Sequence, residues 1–134
     1  MAKKSPKKVL VVEDDEDLVL LISMLLSSDG YRVETAGNGR EALERIEREQ
    51  PDLILLDMKM PVMSGPEFAR EFKARYDARA PIVVVTAAAD ARQRAAEVAA
   101  DGWVGKPFDP DALLATVRRH LDAAEARPAR TSAQ

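Results

Sequence analysis

The 134-residue sequence predicts an α/β fold, a parallel sheet with helices on both faces, and three observations carry that expectation. First, Val-Leu-Val-Val at 9–12, Leu-Ile-Leu-Leu at 53–56 and Ile-Val-Val-Val at 82–85 are short, unbroken apolar runs. Each is too short for a helix that buries itself and too uniform for a half-exposed strand, so each reads as a strand covered on both sides. Second, the segments between them place apolar residues at helical spacing. Third, the length suits one domain with a real core, and the chain shows neither an internal repeat nor an interdomain linker.

In order, the first strand ends in Glu13-Asp14-Asp15-Glu16, and Leu18, Leu21, Ile22, Leu25 and Leu26 then recur as the stripe of a first helix. Gly30 stands where a C-terminal glycine cap belongs. Tyr31 to Thr35 alternates like an edge or near-edge strand, and Gly37-Asn38-Gly39 breaks it, with Asn38 as N-cap of a second helix carrying Ala42, Leu43 and Ile46. The third strand closes on Asp57, and the following Met-Lys-Met-Pro cannot extend a ladder past Pro61. Ser64-Gly65-Pro66-Glu67 is a capping box that opens a third helix with Phe68, Phe72 and Tyr76. The fourth strand, from Pro81, ends on the hydroxyl of Thr86, and Asp90 to Ala100 is an alanine-rich helix with little apolar stripe, expected to be the loosest packed. Gly102-Trp103-Val104-Gly105 is a brief fifth strand stopping at Lys106-Pro107-Phe108. Asp109-Pro110-Asp111 starts the last helix, with Leu113, Leu114, Val117 and Leu121 on one side. Residues 1–7 read as a basic tail, 8–123 as the folded domain and 124–134 as a disordered tail.

The totals narrow the chemistry. With no cysteine and a single histidine, disulfides, thiolate nucleophiles and Cys-based zinc sites are excluded, so a bound metal would be a hard cation on oxygen ligands. A net charge of -3 argues against nucleic acid as a partner. No apolar run has membrane-spanning or signal-peptide length, the lysines near the start read as a solvated tail, and the expected location is the cytoplasm. His120, near the end of a helix, reads as a surface residue with no role.

A parallel sheet points every strand's carboxyl end at one edge, where open α/β sheets hold ligands. Glu13, Asp14, Asp57, Thr86 and Lys106 can therefore meet although they are distant in sequence. Singly, each has a plain structural reading as a helix cap, a backbone-satisfying hydroxyl or a loop lysine; three acids, a hydroxyl and a base on successive strand ends favour a site. Carboxylates about 4 Å apart repel by roughly 4 kcal/mol per pair at an effective dielectric near 20, so they need cations among them. Lys106 supplies one charge, and Mg²⁺, which takes oxygen ligands and bridges carboxylate to phosphate, suits the remainder. An ionised Asp57 so placed can accept a phosphoryl group in line.

With Val-Leu-Val-Val-Glu-Asp-Asp, Leu-Ile-Leu-Leu-Asp-Met-Lys-Met-Pro, Val-Val-Val-Thr-Ala and Trp-Val-Gly-Lys-Pro-Phe in order, the chain resembles the receiver domain of bacterial two-component response regulators, chemotaxis regulators included, from about Lys8 to Leu121. The resemblance implies a flavodoxin-like, five-stranded sheet in the order 2-1-3-4-5. It implies that Asp57 is the phospho-acceptor, that Asp14 binds Mg²⁺ directly and Glu13 largely through water, and that the backbone carbonyl of Lys59 completes the metal site. It also implies that Lys106 contacts the phosphoryl group, that the Lys106-Pro107 bond is cis, and that Thr86 and Trp103 form the switch pair. Such a domain takes its phosphoryl group from a sensor histidine kinase or phosphotransfer protein, catalyses its own phosphorylation and dephosphorylation without being a conventional enzyme, and works as a monomer or weak dimer. Glu13-Asp14 is the preferred acidic pair because it directly follows the strand, leaving Asp15 to start the helix. Lys59, two residues past the acceptor, is expected to hinder hydrolytic water and slow dephosphorylation.

Too few residues follow the last helix for an output domain, so the expected output runs through the fourth helix, fifth strand and fifth helix to a separate partner; a receiver fragment of a larger regulator is the alternative. An aspartate-nucleophile phosphatase would want an acid at position 59, a phosphate-independent pseudo-receiver should lack some of these residues, and a nucleotide-binding domain lacks its glycine-rich loop here.

Overall fold

The computed structural model describes residues 6–76 and 80–126. Five strands alternate with five helices: β1 (Lys8–Val12), α1 (Glu16–Ser28), β2 (Arg32–Ala36), α2 (Gly39–Arg48), β3 (Leu53–Asp57), α3 (Gly65–Tyr76), β4 (Ile82–Ala87), α4 (Ala91–Glu97), β5 (Gly102–Lys106) and α5 (Pro110–Ala126). The strands form one parallel sheet in the order β2-β1-β3-β4-β5, so β3 is central and β2 and β5 are edges.

Side chains that alternate along the buried strands feed two separate cores. Leu10, Val12, Ile54, Leu56, Ile82 and Val84 pack with Ala42, Leu43, Ile46, Phe68 and Phe72, which places α2 and α3 on one face together with Ala95 of α4. Val9, Val11, Leu53, Leu55, Val83, Val85 and Val104 pack on the other face with Ile22 and Leu26 of α1 and Leu113, Val117 and Leu121 of α5. Phe68 and Phe72 stack with centroids 5.7 Å apart, and Tyr76 continues the row 5.6 Å beyond Phe72. Each buried phenylalanine contributes roughly 1.5–3 kcal/mol by transfer from water.

The caps are those the sequence announces. Asp15 Oδ1 accepts the Asp17 and Leu18 N–H groups, and Asn38 Oδ1 accepts that of Glu41 at 2.9 Å. In the capping box of α3 the Ser64 N–H donates to Glu67 Oε1 at 2.9 Å while the Glu67 N–H points to Ser64 Oγ at 3.4 Å. Gly30 takes φ +94° just beyond α1, where a side chain would be strained.

Four details differ from the sequence reading. Leu21 was expected in the buried stripe of α1 but is 44% exposed, beside Leu20 and Met24 at 61%. At about 100° per residue, Leu21 lies beyond Leu25 at the margin of an arc centred on Ile22 and Leu26. Helix α4 stops at Glu97 rather than Ala100: Ala99 takes φ +51°, the Asp101 N–H bonds the Ile82 carbonyl at 2.8 Å, and the Lys73 ammonium caps the Val98 and Ala99 carbonyls. Lys8, which opens the folded domain but was expected with the other early lysines to be solvated, is not solvated. It is 5% exposed, and its ammonium lies 2.6 Å from Glu34 and 3.2 Å from Glu49, tying β1 to β2 and to the residue that ends α2. Helix α5 runs to Ala126, three residues past the expected boundary, and Glu125 faces Lys7 at 3.6 Å. The rest of the two expected tails, 1–5 and 127–134, lies outside the described residues.

Candidate functional site

The register fixes what meets at the carboxyl edge. Val12 pairs with Leu56, Asp57 with Val85, Thr86 with Gly105, and Ala87 with Lys106, so the ends of β1, β3, β4 and β5 reach the rim nearly level. Glu13, one residue past β1, is held by its N–H to the Ala36 carbonyl at 3.0 Å. Its carboxylate turns back to accept the Asp15 N–H at 3.3 Å, which leaves Asp15 as the cap of α1. The local hydrogen bonding therefore gives Asp15 to the helix cap and leaves Glu13 and Asp14 beside Asp57 at the rim. Asp57 sits at the end of the central strand and is 6% exposed, whereas Asp14 is exposed.

Carboxylate oxygens of Glu13, Asp14 and Asp57 lie within 4.8 Å of one another, an arrangement that could hold a metal ion. Lys106 enters from the edge strand, its Nζ 3.2 Å from Glu13 Oε1 and 3.4 Å from Asp57 Oδ1. Burial, and then the charge of Asp57, pushes Glu13 up to about 7 against the pull of Lys106. Burial also raises Asp57, with Lys106 and a hydrogen bond from Glu13 opposing it. For Lys106, burial acts downward, but Asp57 and Glu13 outweigh it and the net direction is up. One ammonium therefore does not compensate two buried carboxylates, and the site favours a further proton or cation.

The cluster opens into a cavity of about 640 Å³ lined by Glu13, Asp14, Asp15, Asp57, Lys59, Thr86, Ala87, Asp90, Arg94, Lys106 and Pro107. All the residues expected at the site line this one space except Trp103. That side chain lies one residue after Gly102 on the edge strand, paired in register with Val84 and 47% exposed. The Lys106-Pro107 bond is cis, as the resemblance implies. Asp90 and Arg94 were not anticipated. Their signal was available in the spacing: α4 begins shortly after Thr86, so its N-cap, Asp90, and Arg94 one turn further on overlie the rim. His120 is partly buried rather than on the surface, its ring nitrogens 2.9 Å from the Thr116 carbonyl and 3.0 Å from that of Asp101, fitted beneath Gly102.

A doubly wound parallel sheet with an acid-and-lysine cavity at its carboxyl rim defines an α/β protein whose polar cluster lies at the edge where open sheets of this kind hold their ligands. The match to known proteins is more specific. A family profile described as response regulator receiver domain covers residues 9–118, and the chain belongs to that family. It is 37% identical over 125 residues to the DNA-binding response regulator MtrA of Mycolicibacterium smegmatis, covering 92% of this chain and 54% of that one. It is 37% identical over 121 residues to the alkaline phosphatase synthesis transcriptional regulatory protein PhoP of Bacillus subtilis, covering 89% and 50%. The chain thus spans about half the length of these relatives. Among solved structures it is similar to the chemotaxis protein CheY4 of Vibrio cholerae, with TM-score 0.77, 38% identity and coverage of 86% and 98%. A CheY-like receiver domain protein of Methanospirillum hungatei gives TM-score 0.82, 31% identity and coverage of 90% and 98%. Among the described residues, no helix is long and apolar enough to cross a membrane.

Proposed function

We propose that the chain receives a phosphoryl group on Asp57 and relays that event as a conformational signal. The observation that carries the reading is the contact of one ammonium, Lys106 Nζ, with both Asp57 and Glu13, with Asp14 alongside at the same rim. In the proposed step an Asp57 oxygen attacks phosphorus in line, the bond to the donor breaks, and the leaving group departs with the electron pair, giving an acyl phosphate. Because the nucleophile is a carboxylate, no general base is required. Lys106 faces the developing negative charge, and Thr86 at the end of β4 offers a hydroxyl to the same space.

The three-carboxylate set fits Mg²⁺. Asp14 and Asp57 would hold it directly, Glu13 largely through water and Lys59 through its backbone carbonyl, and Mg²⁺ when bound supplies positive charge to the phosphoryl oxygens. Thr86 and Trp103 form the proposed switch pair, and the half-exposed indole has room to change position. A histidine kinase or phosphotransfer protein is the proposed donor, and α4, β5 and α5 the proposed output face. Because the chain matches only about half of its DNA-binding relatives, a receiver portion of a larger regulator is the second reading.

The test is incubation with acetyl phosphate and Mg²⁺ followed by intact mass. The wild-type chain should gain the mass of one phosphoryl group and Asp57→Asn should gain none; equal labelling of both proteins would place the acceptor elsewhere.

A further inference from the structure

We infer that Arg94 is a phosphoryl-contacting residue that exchanges its partner Glu97 for the phosphoryl oxygens when Asp57 is modified, drawing α4 toward the site. This rests on Asp57 being the acceptor. Three observations on the structure support it. Arg94 lines the same cavity as Asp57 and Lys106, although it comes from a different element. Its side chain is 39% exposed, and its ion pair is with Glu97 on its own helix, Nη1 to Oε1 at 3.1 Å. Exposed pairs of this i, i+3 kind are weak and are readily given up for a better anion.

The third observation is the helix itself. α4 has seven residues, its N-cap Asp90 makes no side-chain capping bond, and its buried residues are Ala91 and Ala95 alone. Few side chains resist its displacement. The charge balance supplies the direction. Five carboxylates and three cations line the cavity, and replacing the single charge of Asp57 by a phosphoryl group carrying up to two makes the imbalance worse. Lys106 is already shared between two acids, and a guanidinium presents paired donors that match phosphate oxygens.

The test compares the full chain with Arg94→Gln, Arg94→Lys and Glu97→Gln, first confirming equal urea midpoints before phosphorylation. Each protein is titrated with acetyl phosphate at fixed Mg²⁺, and the acyl phosphate is followed by intact mass during labelling and after the donor is removed. Arg94→Gln should still be labelled on Asp57 but should need about fivefold more donor for the same labelled fraction, with Arg94→Lys between it and wild type. Glu97→Gln, which frees the guanidinium, should shift the titration the opposite way by about twofold. Hydrogen exchange should show the amides of α4 slowed by phosphorylation in wild type and unchanged in Arg94→Gln. Failure of wild-type labelling would remove the acceptor reading and this inference together. Normal wild-type labelling with all three variants superimposed on it, and equal α4 exchange, would overturn the Arg94 role alone.

Discussion

At the level of single residues, the informative group is Glu13, which is 4% exposed, faces Asp57 and Lys106, and is raised from 4.5 to about 7. In the unfolded chain its carboxyl loses its proton near its ordinary value, whereas in the folded, metal-free protein it keeps it to neutrality. Between those values the folded state binds more protons, so stability falls as pH rises: the contribution is complete below pH 4.5 and gone above about 7. At about 1.4 kcal/mol per unit this amounts to roughly 3 kcal/mol. Asp57, also raised, acts in the same direction, while the raised Lys106 matters only at alkaline pH. Urea unfolding in EDTA should show the decline, and Glu13→Gln should flatten most of it; an identical slope in the variant would assign the effect elsewhere. Lys59 poses the second question at this scale. It is exposed and lines the cavity, and under the proposed function its side chain would obstruct water approaching an acyl phosphate on Asp57. Lys59→Asn should shorten the phosphoryl half-life about threefold, less than 1 kcal/mol of barrier, and an unchanged or longer half-life would exclude that shielding.

Among the elements, the seating of α3 against the end of β3 fixes the position of Asp57 most directly. A Cβ on Gly65 would lie 2.6 Å from the Asp57 carbonyl oxygen and 2.8 Å from Met58 Cα, and these are backbone atoms that cannot swing aside. Gly65→Ala should therefore cost about 1–3 kcal/mol, read from the urea midpoint. Gly37→Ala, whose added carbon would meet only the Glu41 carboxylate at 3.5 Å, is the matched control; equal midpoints for the two variants would contradict the close packing. In the sequence Gly65 showed itself only as a member of a capping box, because close approach to another segment leaves no local pattern. The caps themselves were legible, since Asp15, Asn38 and Ser64 act on N–H groups two or three residues away. The end of α4 was not: alanine-rich sequence propagates a helix equally well through Ala99 and Ala100, and the stop comes from the distant Lys73 and from β4.

For the molecule as a whole, the sheet and its two cores were legible because buried parallel strands write themselves as uniform apolar runs, and residues 9–12, 53–56 and 82–85 do so. The gathering of Glu13, Asp14, Asp57, Thr86 and Lys106 followed from direction alone, since parallel strands end at one edge. Lys8 and Arg94 were not found, because a lysine opening a strand and an arginine on a polar helix look the same in sequence whether solvated or engaged. The strand order assigns the two halves of the site unequal mechanical roles. Asp57 stands on β3, laced to a neighbour on each side, whereas Lys106 stands on β5, which is laced on one side only. The carboxylate is bolted to the frame and the amine rides on the free rail, so a pull between them is taken up at the outer margin and leaves the middle of the sheet where it was.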